Sequence, residues 1–521
     1  MLGQRLASCC PAFAIPSIAS RSFSSSAYSS LAGRRSRQRT AAATALVTGS
    51  VVLTVAAAAT ASSAWWSARR PAMSMSAAGN SRNYDYIILG GGNAAGYAAR
   101  QFVEKHGVAP HSLAIVSAEA VAPYERPALS KAFLAPESPA RLPGFHTCVG
   151  AGGERQLPEW YEKHGVDLLL STEIVRADVK QKTLTARDGQ QMQYDKLMVA
   201  VGSGVVRLSD FGTPGAELGG IHYLREVADA ERLYAAMKEA ENQEAVVIGG
   251  GYIGMECAAA LANNRLKVTM VFPEEHMMPR LFTPAIAQHY EKAYRDRGIK
   301  FVKGKLAQSL SDADGNGRVT HVHLKDGTVL PARLVVVGVG ARPRSELFKD
   351  SLEQEMGGIK VNAQLQTSDP SVYCVGDMAA FPLKMYGNRM TRVEHVGHAR
   401  ESAMHAADVM AGARHDAYDY LPFFYSRVFN FSWKFWGDTP KDAKTIVAGT
   451  MDPKLAAVWI DQDSKVVGTF IESGTEAEEK KLKALARHPH KVDATAVEAA
   501  AAKGGVAGLL DALPNVESVS A

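Results

Sequence analysis

Two stretches of the chain repeat one pattern: a short apolar run, a cluster of glycines, then small and apolar residues at helical spacing. In the first, Tyr84-Asp85-Tyr86-Ile87-Ile88-Leu89 reads as a buried strand and Tyr97 to His106 as a helix. Between them stands Gly90-Gly91-Gly92-Asn93-Ala94-Ala95-Gly96. Gly90, Gly92 and Ala95 fit the spacing of a dinucleotide-binding turn. The first glycine makes the tight turn, the second lets a pyrophosphate approach the backbone, and the small third residue packs helix on strand. Leu113-Ala114-Ile115-Val116 is the next strand, and Glu119 just beyond it can accept hydrogen bonds from a ribose diol.

In the second stretch, Glu244-Ala245-Val246-Val247-Ile248 is the strand and Met255 to Asn263 the helix. Gly249-Gly250-Gly251-Tyr252-Ile253-Gly254 between them has all three glycines of the pattern, at Gly249, Gly251 and Gly254. Lys267 to Phe272 is the following strand, with Glu274 beyond it. An acid there favours a free ribose 2′-hydroxyl and repels a 2′-phosphate, so NADH is expected as donor. Arg280 nearby weakens that exclusion, so NADPH is expected as a poorer donor. Two such units in one chain predict an oxidoreductase with two dinucleotides, a flavin first and a nicotinamide second.

Three further apolar strands end in glycine. Leu197 to Ser203 and Leu334 to Pro343 (with Gly338 and Gly340) mark points where the chain crosses between domains. Ser371 to Asp377 ends in Gly-Asp, where the carboxylate can hold a flavin's ribityl chain. The expected class is α/β: two Rossmann-like dinucleotide-binding domains, for FAD and NAD, plus an α+β C-terminal domain. The expected limits are a leader over 1–83, an FAD-binding domain over 84–214 and 344–419, an NAD-binding domain over 215–343, and a C-terminal domain with a helical tail over 420–521.

Charge changes the picture only at the N-terminus. The 521 residues carry a net charge of +5, yet nine arginines and no Asp, Glu or Lys precede Asp85, so the remainder carries −4. No basic stripe calls for nucleic acid. An acid-free leader rich in Arg, Ser and Ala reads as an organelle transit peptide, to the chloroplast, with the mitochondrion or both as the alternative. Residues 40–68 are uncharged and long enough to span a bilayer. Ala, Thr and Ser dominate them, so a retained membrane anchor is the weaker alternative.

Cysteine usage excludes one chemistry. Cys9 and Cys10 lie in the leader, and Cys148, Cys257 and Cys374 are scattered. A disulfide relay from flavin to substrate needs a vicinal dithiol, and the body has none. Electrons must therefore leave the flavin directly. No metal site is expected. Asp312 to Gly317 imitates a calcium loop, but its twelfth position is His323, and a hairpin turn fits better. His321 and His323 then share one face of a strand, and Phe429 to Trp436 reads as core.

The chain resembles the FAD/NAD-linked reductases, in the branch that holds ferredoxin-type reductases, apoptosis-inducing factor and the monodehydroascorbate reductases. Pro123-Tyr124-Glu125-Arg126-Pro127-Ala128-Leu129-Ser130-Lys131 carries the likeness to the branch. Asn93 to Arg100, Leu142 to Gly150, Arg392 to Val396 with His398-Ala399-Arg400, and Tyr420 to Arg427 carry the likeness to the monodehydroascorbate reductases, especially organellar ones. The resemblance runs from about Tyr84 to about Gly474. It implies FAD contacts at Gly90, Gly91, Gly92, Asn93, Ala94, Glu119, Arg126, Lys131, Ile174, Arg225, Asp377 and Val396. It implies NAD contacts at Gly249, Gly251, Tyr252, Ile253, Gly254, Glu256, Glu274, Arg280, Gly340, Glu394 and His395. Arg400, Tyr425 and Arg427 would receive the monodehydroascorbate radical, and Lys131 and Glu256 would form an ion pair beside the flavin. No general base is needed for a one-electron transfer to an anion; a forked cation is, and Arg400 suits it. The implied activity is NADH-dependent reduction of that radical, recycling ascorbate, by a monomer. An iron–sulfur protein reductase or a DNA-binding NADH sensor would want a basic surface, which a body at −4 lacks. Two positions depart from the resembled pattern: Gly397 stands where Asp is usual, near His398 and Arg400, and Val201 where Thr is usual.

Overall fold

The computed structural model describes residues 82–147 and 153–516. The leader up to residue 81, the anchor candidate at 40–68 and Cys148 lie outside the described residues, while Arg82 and Asn83 already belong to the first strand.

The first glycine turn sits in a seven-stranded sheet. Arg82–Leu89 lies parallel between Leu113–Val116 and Gln191–Val199, with Ile88 opposite both Ile115 and Met198. Ile87–Leu89, Leu113–Val116 and Leu197–Val199 are covered on both faces and read as unbroken apolar runs, whereas Gln191–Asp195 alternates. Ile87, Ile88, Leu113 and Ile115 are fully buried, each contributing roughly 1.5–3 kcal/mol. Val166–Leu169 extends one side, and Val372–Cys374, far on in sequence, pairs with the end of Gln191–Val199 on the other. The helix after the turn begins at Asn93, four residues earlier than the sequence pattern suggests, because Gly92 serves as its N-cap. It runs to Gln101, closes in a wider π turn over Phe102–His106, and packs against the helix Val396–Met410.

The second glycine turn sits in a five-stranded parallel sheet ordered Lys300–Lys303, Lys267–Phe272, Glu244–Ile248, Leu334–Val337, Ile221–His222. Its helix, Tyr252–Asn263, again starts at the glycine. A three-stranded antiparallel sheet, Ala307–Ser311, His321–Leu324 and Val329–Pro331, accompanies it. The Asp312 carboxylate accepts the N–H groups of Asp314, Gly315 and Gly317, so the calcium-like segment is a hairpin turn. His321 and His323 lie on one half-buried face. Where the sequence marked crossing points, Ser203–Val205 and Ala341–Pro343 pair antiparallel as two adjacent links.

The C-terminal sheet is antiparallel, ordered Phe423–Val428, Phe431–Gly437, Val466–Glu472, Leu455–Ile460, Lys444–Gly449. Phe431, Trp433 and Phe435 are buried in it, as their alternation with polar residues implies, and Trp436, on the other face, is buried as well. The tail is two helices, Glu476–Arg487 and Ala494–Ala512. The first carries a reciprocal cap in which Thr475 and Glu478 satisfy each other's backbone N–H. The Tyr290 hydroxyl donates to the buried Glu472 carboxylate, fastening the helix Pro284–Arg295 to this sheet. Among the described residues no helix is long and apolar enough to cross a membrane.

Candidate functional site: a cleft between two glycine turns

Both turns are built the same way, and each glycine has a separate reason. Gly90 and Gly249 have φ of +124° and +121°, and a Cβ on either would meet a backbone carbonyl oxygen, of Ala200 at 2.4 Å or Gly338 at 2.3 Å. These two are required by the fold. Gly251 is different: a Cβ there would meet nothing within 4 Å, and one on Gly92 would meet only the Arg126 guanidinium at 3.5 Å. The protein itself does not need glycine at either position; an outside group approaching the backbone does. Both residues are N-caps without a side-chain partner for the helix N–H groups behind them. That leaves two helix N-termini open to phosphate.

A cleft runs between the turns. Gly92, Asn93, Ala94, Arg126, Lys131, Arg225, Asp377 and Val396 line it from the first set of sequence-predicted contacts. Tyr252, Ile253, Glu256, Glu394 and His395 line it from the second. Gly90 and Gly91 lie behind the turn, where Gly91 packs on Ser117. Glu119 and Ile174 lie beyond the cleft wall, by the ends of the strands, and Ser171 and Thr172 tie that loop to Glu119 and Ser117. Glu274 and Arg280 are exposed past the strand Lys267–Phe272. Gly340, at φ +133°, begins the second crossing link.

The polar wall is satisfied internally. Arg126 donates to Glu119 Oε1 (2.6 Å) and to the Arg225 carbonyl (2.8 Å), while the Tyr124 hydroxyl donates to Glu119 Oε2 (2.7 Å). Arg225 reaches Asp377 at 3.3 Å, and a Cβ on Gly202 would strike its guanidinium. The expected Lys131–Glu256 ion pair is present at 2.6 Å. Sequence reasoning missed its other supports: Ser130 donates to one carboxylate oxygen (2.5 Å) and Ser426 to the other (2.6 Å). Ser426 lies 170 positions away, so no local pattern could have named it.

Glu394 pairs with Arg392, and burial together with the Asp377 charge raises its carboxyl above the usual range. Burial, with Lys131 and Arg400 nearby, holds the His395 imidazole well below its usual value. Its Nδ1 accepts the Gly397 N–H at 3.2 Å, which leaves the proton on Nε2, 3.3 Å from the Tyr252 hydroxyl. Gly397 makes this bond with its backbone, while His398 Nε2 and Arg400 Nε, the neighbours an Asp would serve, are buried without a partner among the described residues. Val201 is half-buried on the cleft wall.

Arg400 is not an open cation. It is buried and ion-paired with Glu125, and its guanidinium lies 5.0 Å from the centre of the Tyr97 ring. Glu125 also accepts from Asn93 Nδ2 (2.5 Å) and the Tyr97 hydroxyl (3.0 Å). Arg400 Nε, buried, has no hydrogen-bond partner in the protein. Tyr425 is half-buried with its ring 6.2 Å from His395, whereas Arg427 is exposed. None of the three lines the cleft itself. Of the cysteines, Cys257 and Cys374 are buried and unpaired, and burial pushes the Cys257 thiol up to about 12.

Comparison with known proteins gives the family. The family model for pyridine nucleotide-disulphide oxidoreductases matches residues 84–403, and that for the C-terminal domain of monodehydroascorbate reductase 3-like proteins matches 421–504. Monodehydroascorbate reductase of Solanum lycopersicum is 53% identical over 78% of this chain and 94% of its own. A peroxisomal form from Arabidopsis thaliana is 51% identical over 76% and 81%. The crystal structure of the putidaredoxin reductase–putidaredoxin complex aligns with a TM-score of 0.70 and 27% identity, over 81% of this chain and 100% of that one. The chain belongs to the pyridine nucleotide-disulphide oxidoreductases and, within them, to the monodehydroascorbate reductase family.

Proposed function

We propose that this chain passes electrons from NADH, through bound FAD, singly to the monodehydroascorbate radical and so restores ascorbate. One observation carries the reading: a single cleft is lined from both glycine turns, which lets two dinucleotides meet end to end. A flavin, when bound, supplies the conversion of a two-electron donor into one-electron deliveries.

The protein's part is to bind, orient and set charge. Asn93 and the N–H groups after Gly92 would hold the flavin's pyrophosphate, Glu119 its adenosine ribose, Arg126 and Arg225 its phosphates, and Asp377 its ribityl chain. The N–H groups after Gly251 would hold the pyrophosphate of NADH, with Glu274 at its ribose. Lys131, fixed by Glu256, places one positive charge beside the ring where negative charge builds up. His395 stays neutral and presents an N–H, so it does not titrate across the physiological range. Arg400, steadied by Glu125 and Tyr97, would turn its guanidinium, whose Nε is buried and unpartnered without substrate, to the anionic substrate, with Tyr425 beside it. NADH is the preferred donor and NADPH the poorer one. We place the destination in the chloroplast, from the leader, with the mitochondrion or both as the alternative, and read the enzyme as a monomer.

The test is NADH oxidation by the FAD-loaded protein while an oxidase generates the radical from ascorbate. Oxidation that starts with the radical and stops when the oxidase is omitted supports the reading. Oxidation indifferent to the radical removes it.

A further inference from the structure

Beneath the exposed Glu274 lies a second acid that the reading above does not use. Glu291, on the helix Pro284–Arg295, is 1% exposed yet has four partners. Its Oε1 accepts the Met277 N–H (3.2 Å) and meets His276 Nδ1 (3.1 Å). Its Oε2 accepts Lys303 Nζ (2.8 Å) and Arg295 (3.1 Å). Burial opposes its ionisation, but the Lys303 and His276 hydrogen bonds prevail and hold the carboxyl below its usual value.

The position of this cluster gives it meaning. Lys303 ends its strand directly opposite Phe272, the last residue of the strand that leads to Glu274. The Gly304 N–H donates to the Glu274 carbonyl, and the Met278 N–H donates to Gly250 in the glycine turn. The loop bearing Glu274, His276 and Arg280 is thus clamped between the nucleotide turn and Lys303, with Glu291 as the clamp. Two cations and a histidine converge at the carboxyl end of a parallel strand, where an adenosine ribose binds in folds of this kind. Lys303 is one-quarter exposed and Arg295 about half, so both can turn outward.

We propose that Glu291 is a specificity-determining residue: by drawing Lys303, Arg295 and His276 onto its own carboxylate it denies a 2′-phosphate the cations it would bind, and so enforces preference for the unphosphorylated dinucleotide. Glu274 repels the phosphate at the rim, and Glu291 disarms the receptor beneath it. The inference rests on the reading that the second glycine turn holds the pyridine nucleotide with Glu274 at its ribose.

The test is calorimetric titration of the FAD-loaded full chain with ADP-ribose and with 2′-phospho-ADP-ribose, neither of which can donate a hydride. Glu291→Gln should tighten the phosphorylated ligand at least fivefold and leave ADP-ribose within twofold or weaken it. Equal movement of both ligands, or none, overturns the proposal, since a structural role moves them together. Adding Lys303→Met to Glu291→Gln should cancel the gain; a gain that persists also overturns it. Should Glu291→Gln fail to fold, Glu291→Asp decides, since its shorter arm loosens the hold on Lys303 and Arg295: tightening of the phosphorylated ligand by twofold or more with ADP-ribose unchanged supports the proposal, and any other result rejects it. Glu274→Ala separates the two levels. If it leaves the ratio of affinities unchanged, the placement of the ribose is wrong; if it relaxes the ratio while Glu291→Gln does not, only this inference fails.

Discussion

Replacing Arg400 by alanine probes the substrate site through the one buried cation assigned to it. A hydrogen bond from a charged donor contributes about 1.5–3 kcal/mol, and tenfold in rate corresponds to about 1.36 kcal/mol. Loss of one guanidinium contact should thus lower kcat/KM for the radical roughly 10- to 150-fold. The change also leaves Glu125 without its counter-ion. Removing one partner of a buried pair costs about 3–5 kcal/mol of stability. Here Asn93 and Tyr97 still donate to the carboxylate, so the low end of that range applies. Substituting Glu125→Gln together with Arg400→Ala removes the orphaned charge and should recover most of the lost stability while leaving the catalytic loss in place. The assay compares the radical with benzoquinone, a neutral acceptor that gains nothing from a cation. The expected result is a loss confined mainly to the radical. A parallel loss for both acceptors would show that Arg400 only holds the fold, and an unchanged kcat/KM for the radical would remove it from the substrate site.

The two kinds of glycine predict two kinds of failure. Gly249→Ala forces a Cβ into the Gly338 carbonyl and should reduce the yield of folded protein, whereas Gly251→Ala should leave the melting temperature unchanged and weaken NADH binding at least tenfold. Calorimetry and thermal melts distinguish them, and similar melting losses in both would contradict the steric argument. Burial pushes the Glu401 carboxyl up to about 7 against the opposing Lys483, Arg487 and Arg400. The folded form therefore holds its proton up to a higher pH than the unfolded form, so its ionisation costs stability as pH rises from about 4.5 through 7. Glu401→Gln should stabilise by on the order of 3 kcal/mol at pH 8 and negligibly at pH 4.5; a pH-independent difference in thermal unfolding would reject this. Glu256→Gln leaves the Lys131 charge facing the cleft with less compensation, and should raise the flavin's midpoint potential, read by dye-coupled titration; a lower potential would contradict the charge argument.

What the sequence made legible was local or steric. The strand–glycine–helix units announce themselves within twenty residues because the turn demands φ values and clearances that other residues cannot meet. The crossing links were readable for the same reason: each follows an apolar strand that ends in glycine. What stayed hidden was contact across sequence distance. Arg400 could be named as a cation, but its pairing with Glu125, 275 positions earlier, shows only when the helix Val396–Met410 packs on the helix Asn93–Gln101. Ser130 and Ser426 escaped notice beside Glu256 because hydroxyls at those positions suit any loop or strand. Glu291 went unmarked because nothing local sets it apart, and its burial is visible only with Lys303 and His276 in place. The helix starts at Asn93 and Tyr252 were displaced in sequence because glycine as N-cap carries no side-chain signal.

The central claim is that a two-electron donor is spent one electron at a time on the ascorbate radical, and stoichiometry tests it most directly. Known amounts of NADH would be consumed by the FAD-loaded protein in excess radical, with radical loss followed by electron paramagnetic resonance against a control for its spontaneous disproportionation. The account predicts that two radicals disappear for each NADH oxidised and that ascorbate rises in step. NADH oxidation with no radical loss beyond the control, its electrons going instead to oxygen, would contradict it.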